Sequence, residues 1–383
     1  MSNTLRTAVV GVRGVGRGHV QTVAAHPRAD LVAVADLDPD AASAAAEPHG
    51  ARAFDGLDRM LAEAPELDAI ILATPHHLHA PMSLRALEQG LHVYVEKPIA
   101  TRISDADRIV AAAADAERVL AVGHQYRTFR GNLRLKQIID GGELGQVQRV
   151  VWQWLEARPE TYYARDPWRC RWAEAGGGVL LNQASHDIDL LCWLFGPASE
   201  VSATVGNRGH DHEVEDTAVA TVRFASGVVA SLQFSTWNRR LSYRQIDGDA
   251  GAVIWKDESN ANVPDAPETF RLGRYHRPLA QLIPDPESAL TAQPEPAWED
   301  VDCAAVDSPT LFDSFVAAIL DGGVPITDGA SARGTTELIC GILLAGLRHQ
   351  VVTFPVDRGA FDELMDDLIT GRLSVPSWGP ARP

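Results

Sequence analysis

Short apolar runs alternate with helix-like stretches over residues 1–125. Thr7–Val12, Leu31–Ala35, Ala69–Ala73, His92–Val95 and Val119–Val122 are compact runs of Val, Ile, Leu and Ala, the pattern of strands covered on both faces. Between them Gly16–Ala25, Pro39–Ala46, Leu57–Glu63, Ala80–Gln89 and Ser104–Ala116 read as helices, several of them rich in the strong helix former Ala. Strand–helix–strand repetition predicts parallel strands joined by right-handed crossovers. After Gln125 the rhythm changes. Gln146–Leu155, Val201–Val205, Thr217–Phe224, Val228–Phe234 and Tyr243–Ile246 predict strands, some joined by short turns such as Ala225-Ser226-Gly227, and a further turn at 248–251. This meander predicts an open, mostly antiparallel sheet. The Pro-rich, acidic stretch Asn260–Pro309 predicts surface loops and an edge strand, and Leu311–Leu320 and Ala332–Leu347 predict helices. The chain thus divides into a doubly wound α/β domain, 1–125, and an α+β domain, 126–383.

Composition narrows the partners. Lys plus Arg number 34 and Asp plus Glu 51, a net charge of −17, which repels a nucleic-acid backbone. One bound nucleotide stays compatible, because local backbone dipoles can hold its phosphates. Cys170, Cys192, Cys303 and Cys340 show neither CxxC pairs nor Cys/His ligand spacing, so no disulfide framework or zinc module is expected. The strand-like run near Thr7 leaves no room for a signal peptide, and no uninterrupted apolar stretch suits a membrane span. The expectation is a cytoplasmic protein without membrane contact.

The first predicted strand runs into Gly11-Val12-Arg13-Gly14-Val15-Gly16, and a helix follows. In a dinucleotide-binding GxGxxG loop, Gly11 fits the tight turn and Gly16 the close strand–helix packing. Arg13 breaks the middle position, where Gly14 beside it restores backbone freedom. Asp36 ends the second strand twenty residues past Gly16, where a carboxylate can accept the ribose hydroxyls of NAD. Leu37 and Asp38 offer no cation for a 2′-phosphate, which favours NAD; Arg13 keeps NADP open. The alternative is a glycine turn with a structural role only.

Two further runs, Ala73-Thr74-Pro75-His76-His77-Leu78-His79 and Val95-Glu96-Lys97-Pro98, together with the glycine loop, resemble the Gfo/Idh/MocA family of sugar and cyclitol oxidoreductases. Gly176–Asp189, with Asn182 and His186, extends the resemblance into the second domain. It implies a Rossmann domain, a C-terminal domain with an open antiparallel sheet, and a homodimer or homotetramer formed through that sheet.

Ligands in open α/β sheets sit beyond the carboxyl ends of the strands, where Thr74, Pro75, Glu96 and Lys97 fall. Lys97 is thereby expected beside the nicotinamide, as a base or as a group polarising the substrate oxygen; its structural alternative is a salt bridge. His76, His77 and His79 lack the spacing and companion ligands of a metal site, and the resemblance puts His76 and His79 around the cofactor instead. Asn182, His186 and Asp189 stand at i, i+4, i+7, one face of a helix. The resemblance implies that His186 acts on the substrate hydroxyl, where Asn182 replaces an Asp common in the family. Asp189 orients His186 or the helix. The structural alternative for His186 is a core histidine.

Trp152, Trp154, Tyr162, Tyr163, Trp168 and Trp172 cluster before this helix, with Arg158, Arg165, Arg169 and Arg171 among them. Sugar C–H faces pack on such rings, although the alternation of Trp152 and Trp154 suits a strand in the core. The resemblance suggests that Trp168 and Arg169 reach nicotinamide and substrate. Gln125, Tyr126 and Arg127, at the domain junction, are further candidates for ligand contact. The leading function is an NAD-dependent dehydrogenase or ketoreductase of a sugar, glycoside or cyclitol. The alternatives are a glycosidase that transiently oxidises its substrate with retained NAD, and a non-catalytic NAD sensor. Sequence leaves open whether Lys97 or His186 takes the proton.

Overall fold

The computed structural model describes residues 4–64, 66–259 and 267–379. They form two compact units. The first comprises the residues up to Gln125 with Trp172–Gly176 and Pro309–Glu337; the second comprises Tyr126–Arg171, Gly177–Ser308 and the residues from Leu338 on.

The first unit is built on β1 (Leu5–Val10), β2 (Ala29–Ala35), β3 (Arg52–Phe54), β4 (Ala69–Leu72), β5 (His92–Val95) and β6 (Leu120–Val122). They lie in the order β3-β2-β1-β4-β5-β6, and every pairing is parallel. The order reverses between β1 and β4, the switch point at which open α/β sheets leave a crevice at their carboxyl edge. All four β4 residues are buried, as a strand covered on both faces requires. Helices α1 (Val15–Ala25), α2 (Pro39–Ala46), α3 (Leu57–Glu63), α4 (His79–Glu88) and α5 (Ile103–Asp115) supply the covering layers. The short β3 carries no apolar run, because two of its three residues are exposed.

Two segments expected in the second domain, Trp172–Gly176 and Pro309–Glu337, group with the first unit. The helix Leu311–Leu320 starts on a capping box in which Thr310 and Asp313 satisfy each other's backbone N–H. Its Leu311, Phe312, Phe315 and Val316 enter the core cluster of Val9, Ile71 and Tyr94. An amphipathic helix advertises that it buries a face, not which core receives it.

The second unit holds β7 (Val147–Leu155), β8 (Ala198–Gly206), β9 (Thr217–Phe224), β10 (Val229–Ser235), β11 (Leu241–Gly248), β12 (Gly251–Asp257), β13 (Thr269–Tyr275), β14 (Pro296–Asp300) and β15 (Val352–Thr353). Their order is β14-β13-β12-β11-β7-β10-β9-β8-β15. The sheet is mostly antiparallel, but not a simple meander. β7 lies between β11 and β10 and pairs with β10 in parallel, setting Trp152 beside Leu232 and Trp154 beside Phe234. The acidic stretch after Ser259 contributes two strands rather than one: β13 inside the sheet and β14 at its edge. Residues 260–266 of that stretch lie outside the described ones. Along β9, buried Ala218, Ala220, Val222 and Phe224 alternate with outward residues, so one face of the sheet carries the core. Among the described residues no helix is long and apolar enough to cross a membrane.

Candidate active site

In the first unit the turn after β1 is shaped by its glycines. Gly11 has φ +81°, and a Cβ there would lie 2.6 Å from the Ala73 carbonyl oxygen. A Cβ on Gly16 would lie 1.7 Å from the Gly11 oxygen, so only glycine lets α1 start this close to β1. Gly14 caps α1 with φ 55° and no side-chain hydrogen bond, and nothing lies within 4 Å of where its Cβ would be. The start of α1 therefore has no side-chain cap, although the Gly16 N–H donates to the Arg13 carbonyl at 3.0 Å; an uncapped helix start is the arrangement that holds a phosphate.

Asp36, at the end of β2, faces this turn and is buried. Its Oδ2 accepts from the Val12 N–H at 3.0 Å and its Oδ1 from the Asp38 N–H at 3.0 Å. Arg13 reaches toward Asp36 and Asp38 at 3.7 and 3.8 Å. Asp38 caps α2 by accepting from Asp40 and Ala41. These residues fit a dinucleotide: a glycine turn that opens an uncapped helix beside a fixed carboxylate. Asp36→Ala should weaken NAD⁺ binding and relax discrimination against NADP⁺, measured as the two Kd values by titration. Tighter binding of NADP⁺ than NAD⁺ by the unmutated protein would overturn the assignment.

The carboxyl ends of β4 and β5 are neighbours in the sheet. The His79 ring spans them, its Nδ1 2.7 Å from the Pro98 carbonyl and its Nε2 2.8 Å from the Thr74 carbonyl. Burial pulls its pKa down, against the two carbonyls that favour the cation. Both nitrogens are thus engaged with backbone, and His79 fastens the loops that carry Thr74-Pro75 and Lys97. His76 Nδ1 lies 2.9 Å from the Ala175 carbonyl. Glu96 accepts from the Lys97 N–H and lies 2.8 Å from His19 Nε2. Burial works to raise the Glu96 pKa, but the His19 hydrogen bond and charge, with Lys97 and His79 nearby, hold it below the usual carboxylate range. A Cβ on Gly123 would lie 2.7 Å from Glu96, so this glycine makes room for the carboxylate. Lys97 itself is half-buried, and Gln125 is exposed.

In the second unit, the expected one-face stripe is interrupted. Asn182 sits in a π-helical turn, Val179–Gln183, and the α-helix begins only at Ser185. Thus His186 and Asp189 lie on the helix Ser185–Phe195, and Asn182 does not. Glu215 caps the start of this turn: its carboxylate accepts from the Gly178 and Leu180 N–H groups at 2.7 and 3.0 Å while its carbonyl accepts from Val179. Burial pushes the Glu215 carboxyl up to about 7. Tyr126 stacks on His186, ring centres 4.5 Å apart. Burial raises the Tyr126 phenol, so the hydroxyl stays protonated. Arg127, a candidate for ligand contact, and Asp189, expected to orient His186 or the helix, form a buried bidentate pair with each other at 2.7 and 2.6 Å. Arg169 donates to Asn182 Oδ1 at 2.7 Å and stacks on Trp168.

Two groupings escaped the sequence. Arg244 is buried between Trp152 and Trp255, 4.1 and 4.5 Å from the ring centres, and donates to Asn132 and Asp187. Second, Arg158 and Arg240 share one oxygen of Glu156. Arg244 meets its partners from separate strands and helices, and Arg240 reaches Glu156 from 84 residues away, so neither grouping has a local signal. Among the described residues no group of three or more His, Cys, Asp or Glu side chains is placed to hold a metal ion.

Comparison with known proteins agrees with this geometry. Residues 5–124 match the family model "Oxidoreductase family, NAD-binding Rossmann fold", and residues 132–254 match the "GFO/IDH/MocA C-terminal domain". A 1-carboxy-3-chloro-3,4-dihydroxycyclohexa-1,5-diene dehydrogenase of Comamonas testosteroni is 32% identical over 59% of this chain and 57% of its own length. The chain thus aligns with little more than half of that relative. The myo-inositol 2-dehydrogenase of Thermotoga maritima is 26% identical over 60% of this chain and 68% of its own. The structure of the WlbA dehydrogenase from Bordetella pertussis, in complex with NADH and UDP-GlcNAcA, superimposes with a TM-score of 0.77 at 28% identity, covering 92% of this chain and 100% of that one.

Proposed function

The chain belongs to the Gfo/Idh/MocA family of NAD-binding oxidoreductases, and on that premise we propose that it transfers a hydride between NAD and a secondary alcohol of a sugar, glycoside or cyclitol. The observation that carries the proposal is the place of Lys97. It follows β5 at the same sheet edge where β1 opens into the glycine turn, one strand beyond the switch point. NAD bound there would supply the hydride acceptor. Gly11, Arg13, Gly14, Val15 and Gly16 would hold its pyrophosphate and Asp36 its adenosine ribose. Thr74, Pro75, His76, His79, Glu96 and Gln125 would shape the nicotinamide end. Lys97 and His186 would handle the hydroxyl proton, while Tyr126, Trp168, Arg169 and Asn182 would position the substrate. Arg127 and Asp189 act through each other, by fixing the helix that bears His186. Relatives named for myo-inositol and for a dihydroxylated carboxy-cyclohexadiene both take ring alcohols, which supports this substrate class.

A panel of sugars and cyclitols with NAD⁺ and NADP⁺, followed by absorbance of the reduced cofactor, tests the proposal. NAD⁺ binding without turnover of any ring alcohol would sink it in favour of a sensor. Glycoside cleavage without net NADH would favour transient oxidation.

The outward positions of β9 and β10 include Val219 and Val229, 45% and 40% exposed. We propose that a second copy covers this open face. Light scattering at micromolar concentration should give a dimer or tetramer mass; the monomer mass of 41.4 kDa would be fatal to the idea.

A further inference from the structure

Three guanidiniums of the second unit gather around one tyrosine and one carboxylate. Arg158 and Arg169 lie 5.2 and 5.4 Å from the centre of the Tyr162 ring. Arg158 and Arg240 bind the same Glu156 oxygen at 2.9 and 3.0 Å. Their side chains are only 24% (Arg158), 21% (Arg169) and 24% (Arg240) exposed, so each cation has lost most of its water. Desolvated charge is costly unless an opposite charge answers it. For Arg158 and Arg169 the answer is thin. Glu156 is divided between two arginines. Asp166 stands 3.6 Å from Arg169 and 3.3 Å from Arg165, and is divided as well. The other acceptors are neutral amides: Gln183 for Arg158 and Asn182 for Arg169. The buried Arg169 Nε makes no hydrogen bond. A chain with net charge −17 has carboxylates in plenty, yet amides stand at these places.

We propose that Arg158, Arg169 and Arg240 bind a carboxylate carried by the substrate, so that the alcohol this chain oxidises belongs to an acidic sugar or an acidic cyclitol. The proposal rests on the oxidoreductase function above and narrows its substrate. A planar guanidinium fork matches the two oxygens of a carboxylate, and a charge-assisted pair outcompetes an amide acceptor. A phosphate offers oxygens to the same forks, so the phosphorylated sugar in the test below is the arm that separates the two anions. Asn182, held by Arg169, stands one turn ahead of His186 in the chain, so an acid bound here would lie close to the motif expected to meet the hydroxyl.

The test uses the full chain with NAD⁺ and matched substrates: D-glucuronate against D-glucose, D-galacturonate against D-galactose, and quinate against myo-inositol, with D-glucose 6-phosphate as a separate arm. The acid of at least one pair should have a kcat/KM about tenfold or more above its neutral partner. Arg158→Gln and Arg240→Gln should each remove most of that advantage through KM and leave NAD⁺ affinity unchanged. Arg158→Lys, which keeps the charge and loses the fork, should retain part of it. Calorimetry of the same compounds on the NADH-loaded protein gives a second readout that needs no turnover, and acid-selective binding there supports the site. Equal or better use of the neutral partners overturns the proposal while the oxidoreductase function stands. So does preference for the phosphorylated sugar, or loss of acid and neutral activity in equal measure in both variants. Absence of both turnover and acid-selective binding overturns it too. Acid-selective binding with NAD⁺ bound but no turnover of any compound keeps the anion site and removes the oxidoreductase function.

Discussion

Lys97→Ala and His186→Ala should each lower kcat by ~10²–10⁴-fold, the usual cost of a lost general acid or base, with NAD⁺ affinity kept within roughly a few-fold. Under the proposed function both residues would do this work, and both sit on firmly held backbone. Lys97 follows a strand end whose backbone is fixed twice. Its own N–H donates to Glu96, and the next residue's carbonyl, that of Pro98, faces His79. Glu96 is in turn secured by His19 from α1. His186 lies on a helix whose first turns are buried, with the Tyr126 ring stacked on its own. Oxidation of an alcohol needs a group that takes the hydroxyl proton and one that steadies the oxygen as the carbonyl forms. Residues sharing that work act as a unit, so the double variant should lose less than the product of the two single losses. Steady-state kinetics with a separate NAD⁺ titration for each variant decides the matter. A near-normal kcat removes that residue from the mechanism. A collapse of NAD⁺ binding in Lys97→Ala moves the lysine to the cofactor site.

What could be read from the chain beforehand followed the range of the signal. β4 and β5 are buried on both faces and appear as plain apolar runs, and the glycine turn shows because its glycines are close in sequence. β3 was silent, since Arg52 and Ala53 face solvent and leave no pattern of burial. β13 and β14 were obscured by the prolines and acids around them. The parallel pairing of β7 with β10 joins Val150 to Ala230, a partnership no local pattern encodes. The same limit applied at the site. Asn182 and His186 stood out by spacing, but the π turn that holds Asn182 is capped by Glu215, which arrives from a distant loop. Arg127 and Asp189 were each visible as polar residues near apolar ones. That they meet each other could be learned only from the fold.

Arg244 was invisible for that reason, and its removal should produce the largest loss of stability. The guanidinium is 4% exposed and lies between two indoles, with Asn132 and Asp187 as its polar partners. Asp187 is still more deeply buried; its Oδ1 accepts from Trp152 at 2.8 Å and its Oδ2 has no hydrogen-bond partner. Burial raises the Asp187 carboxyl, with Arg244 pulling the other way, so removing Arg244 leaves the acid with burial nearly unopposed. Breaking one partner of a buried ion pair costs ~3–5 kcal/mol, because the survivor stays buried without its counter-charge. Arg244→Ala should lower the unfolding free energy of the second unit by about that amount, followed by the fluorescence of Trp152 and Trp255 on either side of the site. NAD⁺ affinity should hold, since the glycine turn and Asp36 belong to the first unit. Asp187→Asn in the Arg244→Ala background should then cost much less than Asp187→Asn alone, or even recover stability, because the amide removes the stranded charge and keeps an acceptor for Trp152. Strict additivity of the two substitutions would show that the arginine serves only to fill the space between the indoles.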